Sequence, residues 1–485
     1  MVAMATSRRR RRGPRRGRLL ARPAVPPLAV ARRLTPARAR PAADALLRRL
    51  PGMPPPAPAH PWADAVRRAV VGSARGTAAV ISPAARLAPT ALSVAASGAF
   101  VVAGASSALA GVFARAVVTP VRGHAEDTAV FAVVDGPDGL EVILPADRHT
   151  TAPGAYSLTY GQGEHVARIG AIRSHDPRDG TVQRVVEEVY SGDLRSAVRG
   201  RLTGFVYPTP ADAGLDATDV EVPVPGGVAP AWRIDPGPSA EPRPAEGLWA
   251  VMVHGRGARR TEGLRAVPTA QRLGMTSLLV SYRNDGDAPD AEDARYGLGT
   301  TEWEDVAAAV RYALDQGARD VVLFGWSMGG AIALQFADRS DLAVRVRGIV
   351  LTGPVVDWMD VLRHQARLNR IPEAVGLLGQ WLLSNRAGRL ATGMAAPVDL
   401  RALDWVTRAD HVRVPTLILH SEDDEYVPVG PSMALAERNP ELVRFVRFTQ
   451  AGHTREQNVD PVKWDRTVRG FLRAVLAAPR PGRTD

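Results

Sequence analysis

Val321-Val322-Leu323-Phe324-Gly325-Trp326-Ser327-Met328-Gly329-Gly330-Ala331 is an apolar run that breaks into the pentapeptide Gly-x-Ser-x-Gly. Four apolar residues in succession suit a strand buried on both faces. The residues after Met328 suit a helix. A serine between the two stands on a sharp strand-to-helix turn, with its Oγ projecting above the sheet. Gly325 and Gly329 leave room for the backbone to cross itself, and Gly330 lets the helix pack close. In isolation such a pentapeptide also occurs in inert turns; in this strand–turn–helix setting Ser327 reads as a nucleophile.

A serine hydroxyl attacks poorly until a base takes its proton. Of the ten histidines, His453 is placed for that task. It lies in Ala451-Gly452-His453-Thr454, after the last expected strand and before the final helix, where a loop can lower it onto the serine. His254 and His420 are its rivals. The acid that orients the base should follow the preceding strand. There the chain reads His420-Ser421-Glu422-Asp423-Asp424-Glu425-Tyr426-Val427-Pro428, so four carboxylates compete. Asp424 is the first choice and Asp423 the second. The developing oxyanion needs backbone N–H groups aimed at it. Met328, directly after the nucleophile, should supply one. Arg256, in Val253-His254-Gly255-Arg256-Gly257, should supply the other.

Outward from this centre, strands and helices alternate. Strands are expected at Leu248–Val253, Ser277–Tyr282, Val321–Phe324, Ile349–Leu351, Thr416–Leu419 and Val443–Phe448. Helices are expected near 261–273, 301–316, 328–338, 431–438 and 461–477, with Thr301 and Glu304 as a capping box on the second. Alternation of this kind predicts an α/β domain over 219–478 with a mostly parallel central sheet. About 60 residues of helical periodicity separate the strands near 350 and 417, so residues 354–411 are expected to form a helical cap. Residues 123–218 read as a small β-rich accessory domain, from short runs such as Val130–Val134, Leu140–Leu144 and Val185–Val189 between turn signals.

The N-terminal part differs in composition. Residues 1–122 hold 21 arginines against Asp44 and Asp64, a surplus of 19 that leaves −8 of the net +11 for the remainder. A mildly acidic body lacks the basic face that nucleic-acid binding requires. Residues 1–75, rich in arginine and proline, read as disordered. Within the apolar segment 76–122, Leu87–Ala114 is 28 residues long and uncharged, enough to cross a bilayer. It is read as a membrane contact or single-pass anchor, with a cytoplasmic body as the alternative. The arginines upstream (Arg67, Arg68, Arg75, Arg86) favour an N-terminus inside and the body outside. Without motifs of its own, the segment 1–122 is expected to be dispensable for the folded body. The absence of cysteine excludes thiol catalysis and disulfides.

The elbow around Ser327, His254-Gly255-x-Gly257, the Asp424 loop ending in Val427-Pro428, and Gly452-His453 together resemble the α/β-hydrolase superfamily over residues 219–478. The branch resembles serine esterases and serine-aminopeptidase-like hydrolases. The resemblance implies cleavage of a small-molecule or lipid-like ester by acyl transfer to water through Ser327, Asp424 and His453, with no metal or cofactor. Acyltransferase, thioesterase and peptidase chemistry on the same fold are the alternatives within enzymes. A catalytically inactive membrane-anchored binding protein is the alternative of another class. The residues leave the oligomeric state open.

Overall fold

The structure, a computed structural model, describes residues 91–237 and 247–479. The Arg/Pro-rich stretch 1–75 and residues 76–90 lie outside the described residues. The first described element is helix α1 (Ala91–Val118).

Seven strands follow: β1 (Thr128–Ala129), β2 (Ala132–Gly136), β3 (Gly139–Pro145), β4 (Tyr156–Tyr160), β5 (His165–Asp176), β6 (Thr181–Val189) and β7 (Arg199–Thr203). They pair antiparallel in the order β1-β7-β4-β5-β6-β3-β2. Val142, Leu144, Tyr156, Leu158, Ile169 and Leu202 pack together as the core of this sheet. Alternate residues facing the other way stay polar or half-buried, as antiparallel sheets allow.

A second sheet holds β8 (Thr218–Val224), β9 (Gly227–Ile234), β10 (Leu248–Val253), β11 (Thr276–Val280), β12 (Asp320–Trp326), β13 (Val346–Thr352), β14 (Thr416–Ser421) and β15 (Val443–Phe448). The order is β15-β14-β13-β12-β10-β11-β9-β8. β10 to β15 run parallel, and the β8–β9 hairpin closes one edge antiparallel. The longer helices after the first sheet are α2 (Trp303–Asp315), α3 (Met328–Arg339), α4 (Trp358–Leu368), α5 (Glu373–Ser384), α6 (Gly430–Arg438) and α7 (Pro461–Ala477). Every residue of β10 is buried, because helices cover both faces. Val251 and Val253 pack on one side with Val306, Val310, Ile332 and Phe336 of α2 and α3. Ala250 and Met252 pack on the other with Trp464, Val468 and Leu472 of α7. β11 lies on one side of β10 and β12 on the other, so the winding reverses between β10 and β12. A crevice opens at the C-terminal ends of strands flanking such a reversal. Ser327 follows β12 and His254 follows β10.

Two local expectations are corrected. The helix expected at 261–273 is a 3-10 segment, Arg260–Ala266, followed by a short α-helix, Val267–Arg272. Pro268 has no N–H to give to the preceding turn, so a continuous α-helix is not available there. The capping box at Thr301 does not form either. Thr301 Oγ1 turns to Glu302 Oε2 at 3.3 Å, and α2 begins at Trp303.

The larger correction concerns α1. Among the described residues no helix is long and apolar enough to cross a membrane. Its C-terminal half instead lies against the body: Ala110, Phe113, Ala114 and Val118 are fully buried in the main core. A Cβ on Gly379 of α5 would stand 2.8 Å from the Phe113 ring, and one on Gly111 would stand 3.4 Å from Ala391. The excursion between β13 and β14 carries α4 and α5, and α1 completes it as a cap. An uncharged stretch reads the same whether its partner is lipid or protein. Residues 109–118 therefore pack on the body, which weighs against the expectation that nothing in 1–122 is needed by it. Phe113→Ala should cost about 3–5 kcal/mol of stability, measured by urea denaturation of the full chain. A cost under about 1 kcal/mol, the size of a surface substitution, would mean that α1 does not pack on the cap.

Candidate active site

Ser327 sits at φ 51°, ψ −118° on the turn from β12 into α3. That conformation is sparsely populated by non-glycine residues and costs on the order of 1–3 kcal/mol. It persists because the turn is packed from below. A Cβ on Gly329 would fall 2.2 Å from the Val253 carbonyl oxygen, and one on Gly325 would fall 2.7 Å from the Gly329 carbonyl oxygen. The two glycines let the elbow press against β10 and against itself.

The structure brings Ser327, His453 and Asp424 into one relay. His453 Nε2 lies 2.8 Å from Ser327 Oγ. His453 Nδ1 lies 2.7 Å from Asp424 Oδ2. Asp424 Oδ1 accepts from the backbone N–H groups of Tyr426 and Val427, both at 2.8 Å. A carboxylate so held can turn only one oxygen to the imidazole. Burial pushes the Asp424 pKa up, but the charge of His453 and the bonds from His420 and His453 outweigh it. They hold the carboxyl well below the usual carboxylate range. For His453, burial opposes protonation, yet Asp424 prevails, helped by Glu425 and Glu456, and the imidazole is raised above its ordinary value of 6.5. Asp423 is placed otherwise: its Oδ2 accepts from Gln450 N at 2.6 Å.

The loop after β10 is tied down on both sides of Arg256. Gly255 N–H donates to Glu262 Oε2 at 2.7 Å, and Gly257 N–H donates to Asp285 Oδ2 at 3.0 Å. The Arg256 N–H between them has no hydrogen-bond partner among the described residues. Neither has the N–H of Met328, the first residue of α3. A Cβ on Gly255 would be 3.1 Å from Ser327 Cβ, so this loop lies directly beside the elbow. The Arg256 guanidinium reaches away, donating to the carbonyls of Ala116 and Thr119 at 2.9 Å each. A cation at a helix C-terminus meets the negative end of the dipole, so the end of α1 anchors this loop.

Several buried groups have surroundings that sequence reading does not give. His420 is fully buried, with Nε2 3.2 Å from Asp424 Oδ2 and Nδ1 2.8 Å from Ser432 Oγ; it supports the acid rather than replacing His453. His254 stacks on Tyr282 with ring centroids 4.3 Å apart. Burial lowers its pKa to about 4, so it is neutral. Glu262, Asp285 and Glu456 are buried carboxyls. Burial raises Asp285 and Glu456 to about 7. Glu456 Oε1 accepts from Ser421 N at 3.1 Å. No local motif marks these residues, since each partner lies in a distant segment or across a turn. From the cap, Gln365 Nε2 donates to the Tyr426 carbonyl at 2.7 Å and His364 Nε2 lies 2.9 Å from the Glu425 carbonyl. No cluster of residues suited to a metal ion occurs among the described residues.

Comparisons with known proteins match the domain that carries this site. A model of the alpha/beta hydrolase family matches residues 250–466. Residues 250–466 are an α/β-hydrolase domain, and the chain is a hydrolase. A second model, for a domain of unknown function, matches residues 129–203, the span of the first sheet. The hydrolase is similar to thioesterase frbD of Dothideomycetidae sp. (strain 11243), 29% identical over 206 residues, covering 38% of this chain and 70% of that protein. It is also similar to a pimeloyl-[acyl-carrier protein] methyl ester esterase of Aromatoleum aromaticum, 27% identical over 171 residues, covering 28% and 67%. Among solved structures, an esterase of Pyrococcus furiosus, Pf2001, overlaps 55% of this chain and 94% of its own at 19% identity, with a TM-score of 0.42.

Proposed function

We propose that the hydrolase cleaves carboxylic esters or thioesters by acyl transfer to water, with Ser327 as the nucleophile. The observation that carries this reading is the unbroken relay from Ser327 Oγ through His453 to Asp424, at 2.8 and 2.7 Å. Ser327 Oγ attacks the acyl carbon while His453 Nε2 takes its proton. Asp424 stays ionised and stabilises the imidazolium. The N–H groups of Met328 and Arg256 stabilise the oxyanion. Collapse of the intermediate breaks the bond to the alkoxide or thiolate, which receives the proton from His453. Water, deprotonated by His453, then attacks the acyl carbon; the bond to Ser327 Oγ breaks, His453 returns the proton to Oγ, and the acid leaves. In this reading residues 219–478 hold the chemistry, 354–411 cap it, and 123–218 are an accessory region. The names of the thioesterase and methyl ester esterase relatives support the substrate class.

Hydrolysis of p-nitrophenyl esters of graded acyl length, alongside acyl thioesters of the same lengths, tests the reading. Turnover of at least one series by the full chain supports it. Absence of turnover on every member of both series contradicts it.

The base must be neutral to accept a proton, and His453 is raised above 6.5 in the folded state. Asp424, Glu425, Glu456 and Glu262 all face it and favour its charged form. Activity should therefore be full at high pH and fall as pH drops through the folded pKa of His453. The acidic limb of the kcat/KM profile should have its midpoint above 6.5. A midpoint near 5 would mean that the acidic groups do not act on His453 in this way.

A further inference from the structure

His453 stands in a loop that its own backbone does not favour. Gln450 (φ 59°) and Thr454 (φ 54°) are both left-handed, a conformation that costs a non-glycine residue about 1–2 kcal/mol. Such strain persists only where the surroundings over-determine it. Much of what surrounds the C-terminal side of this loop comes from the first sheet, residues 128–203, and the turns that border it.

Arg455, two residues after His453, donates through Nη2 to the Leu202 carbonyl of β7 at 2.8 Å. Its Nη1 stands 3.3 Å from His149 Nδ1, and its guanidinium lies 5.5 Å from the Tyr156 ring centroid. Arginine has no acceptor, so Nδ1 accepts and His149 carries its proton on Nε2. That nitrogen faces Glu425 Oε1 at 3.7 Å, next to Asp424 in the chain. Burial, then the charge of Arg455, pushes His149 below its ordinary pKa, in keeping with a neutral ring. Asn458 Nδ2 donates to the carbonyls of Ala155 and Gly204 at 2.8 and 3.0 Å. Its Oδ1 accepts from the buried Arg265 at 2.5 Å. The approach is close: a Cβ on Gly154 would fall 1.8 Å from the Asn458 carbonyl oxygen. One sheet thus reaches both the loop that carries His453 and the loop that carries Asp424.

We propose that the N-terminal β-sheet domain is the positioning element for the base, with Arg455 and Asn458 as the residues through which it holds His453 against Ser327 and Asp424. The inference rests on His453 being the base. Neither residue touches substrate; each acts through the position of the imidazole. Displacing a catalytic group by about 1 Å can cost on the order of 100-fold in rate. Such a loss falls on kcat and leaves the ground-state affinity alone.

The test uses the full chain, a p-nitrophenyl ester that it turns over, a fluorophosphonate probe and thermal unfolding. Arg455→Gln should lower kcat about 10- to 100-fold with KM within about twofold. The rate of fluorophosphonate labelling should fall in parallel while thermal unfolding changes little. Arg455→Lys, which keeps a donor for the Leu202 carbonyl, should recover part of the loss. His149→Gln, on the sheet's side of the contact, should lower kcat in the same direction at unchanged KM. The proposal is overturned if Arg455→Gln keeps kcat within about threefold of the parent, the size of one weak hydrogen bond. It is also overturned if the loss lies in KM alone, or if the lysine variant is no better than the glutamine. Should Arg455→Gln fail to fold, His149→Gln decides: an unchanged kcat overturns the proposal and a lowered one supports it. Labelling of the parent at Ser327 checks the hydrolase reading separately from these variants.

Discussion

Ser327→Ala is expected to lower ester turnover by about 10⁴- to 10⁶-fold without unfolding the chain. The substitution removes one atom from a largely buried side chain. Its neighbours are His453 on one side and the β10 loop on the other. The close packing of Gly325 and Gly329 under the elbow stays in place, so alanine inherits the same turn. His453 loses the proton it exists to accept, and no other hydroxyl is bonded to its Nε2 among the described residues. The N–H groups of Arg256 and Met328 remain and should leave a small residual rate. Steady-state turnover of the purified variant, with circular dichroism as the check on folding, gives the answer. Turnover within tenfold of the parent would remove Ser327 from the mechanism.

Asp424→Asn should be nearly as severe, about 10⁴-fold in kcat, because a neutral amide neither fixes the imidazole tautomer nor stabilises its charged form. The geometry makes the case specific. Asp424 Oδ1 is already committed to the N–H groups of Tyr426 and Val427. The amide nitrogen would therefore occupy the Oδ2 position, donor facing donor against His453 Nδ1. It would also face His420, whose Nε2 shares that oxygen at 3.2 Å. Asp423→Asn should cost less than about tenfold, since Asp423 makes a backbone hydrogen bond to Gln450 and such a bond is worth about 1 kcal/mol. Reversed severities would transfer the role of acid to Asp423 and leave the fold intact.

The parallel sheet was open to reading from residues alone because its inner strands are buried on both faces and its edge strand β15 still buries Val443 and Phe448. Leu248–Val253 and Val443–Phe448 coincide with β10 and β15, and the elbow is marked by Gly325 and Gly329, where a Cβ would strike the backbone. The relay was legible for a related reason. Each member lies in the segment that follows a parallel strand, Ser327 after β12, Asp424 after β14 and His453 after β15, so its place follows from the order of the elements. Tertiary choice was not legible. Absence of charge up to Ala114 did not tell a lipid partner from a protein one; the burial of Phe113 against Gly379 places the C-terminal part of α1 on the cap. Glu262, Asp285 and Glu456 were invisible because a carboxylate in a loop normally faces solvent. Their burial depends on N–H donors at Gly255, Gly257 and Ser421. The contacts of Arg455 and Asn458 span more than 250 residues, beyond the reach of any local pattern.

The most direct test of the central claim, a nucleophilic Ser327 activated by His453, is stoichiometric labelling of the full chain with a fluorophosphonate, read by intact-protein and peptide mass spectrometry. The account predicts one label per chain, located on Ser327, and none on Ser327→Ala. Labelling confined to another residue, or no labelling of a folded protein that hydrolyses esters, would contradict it.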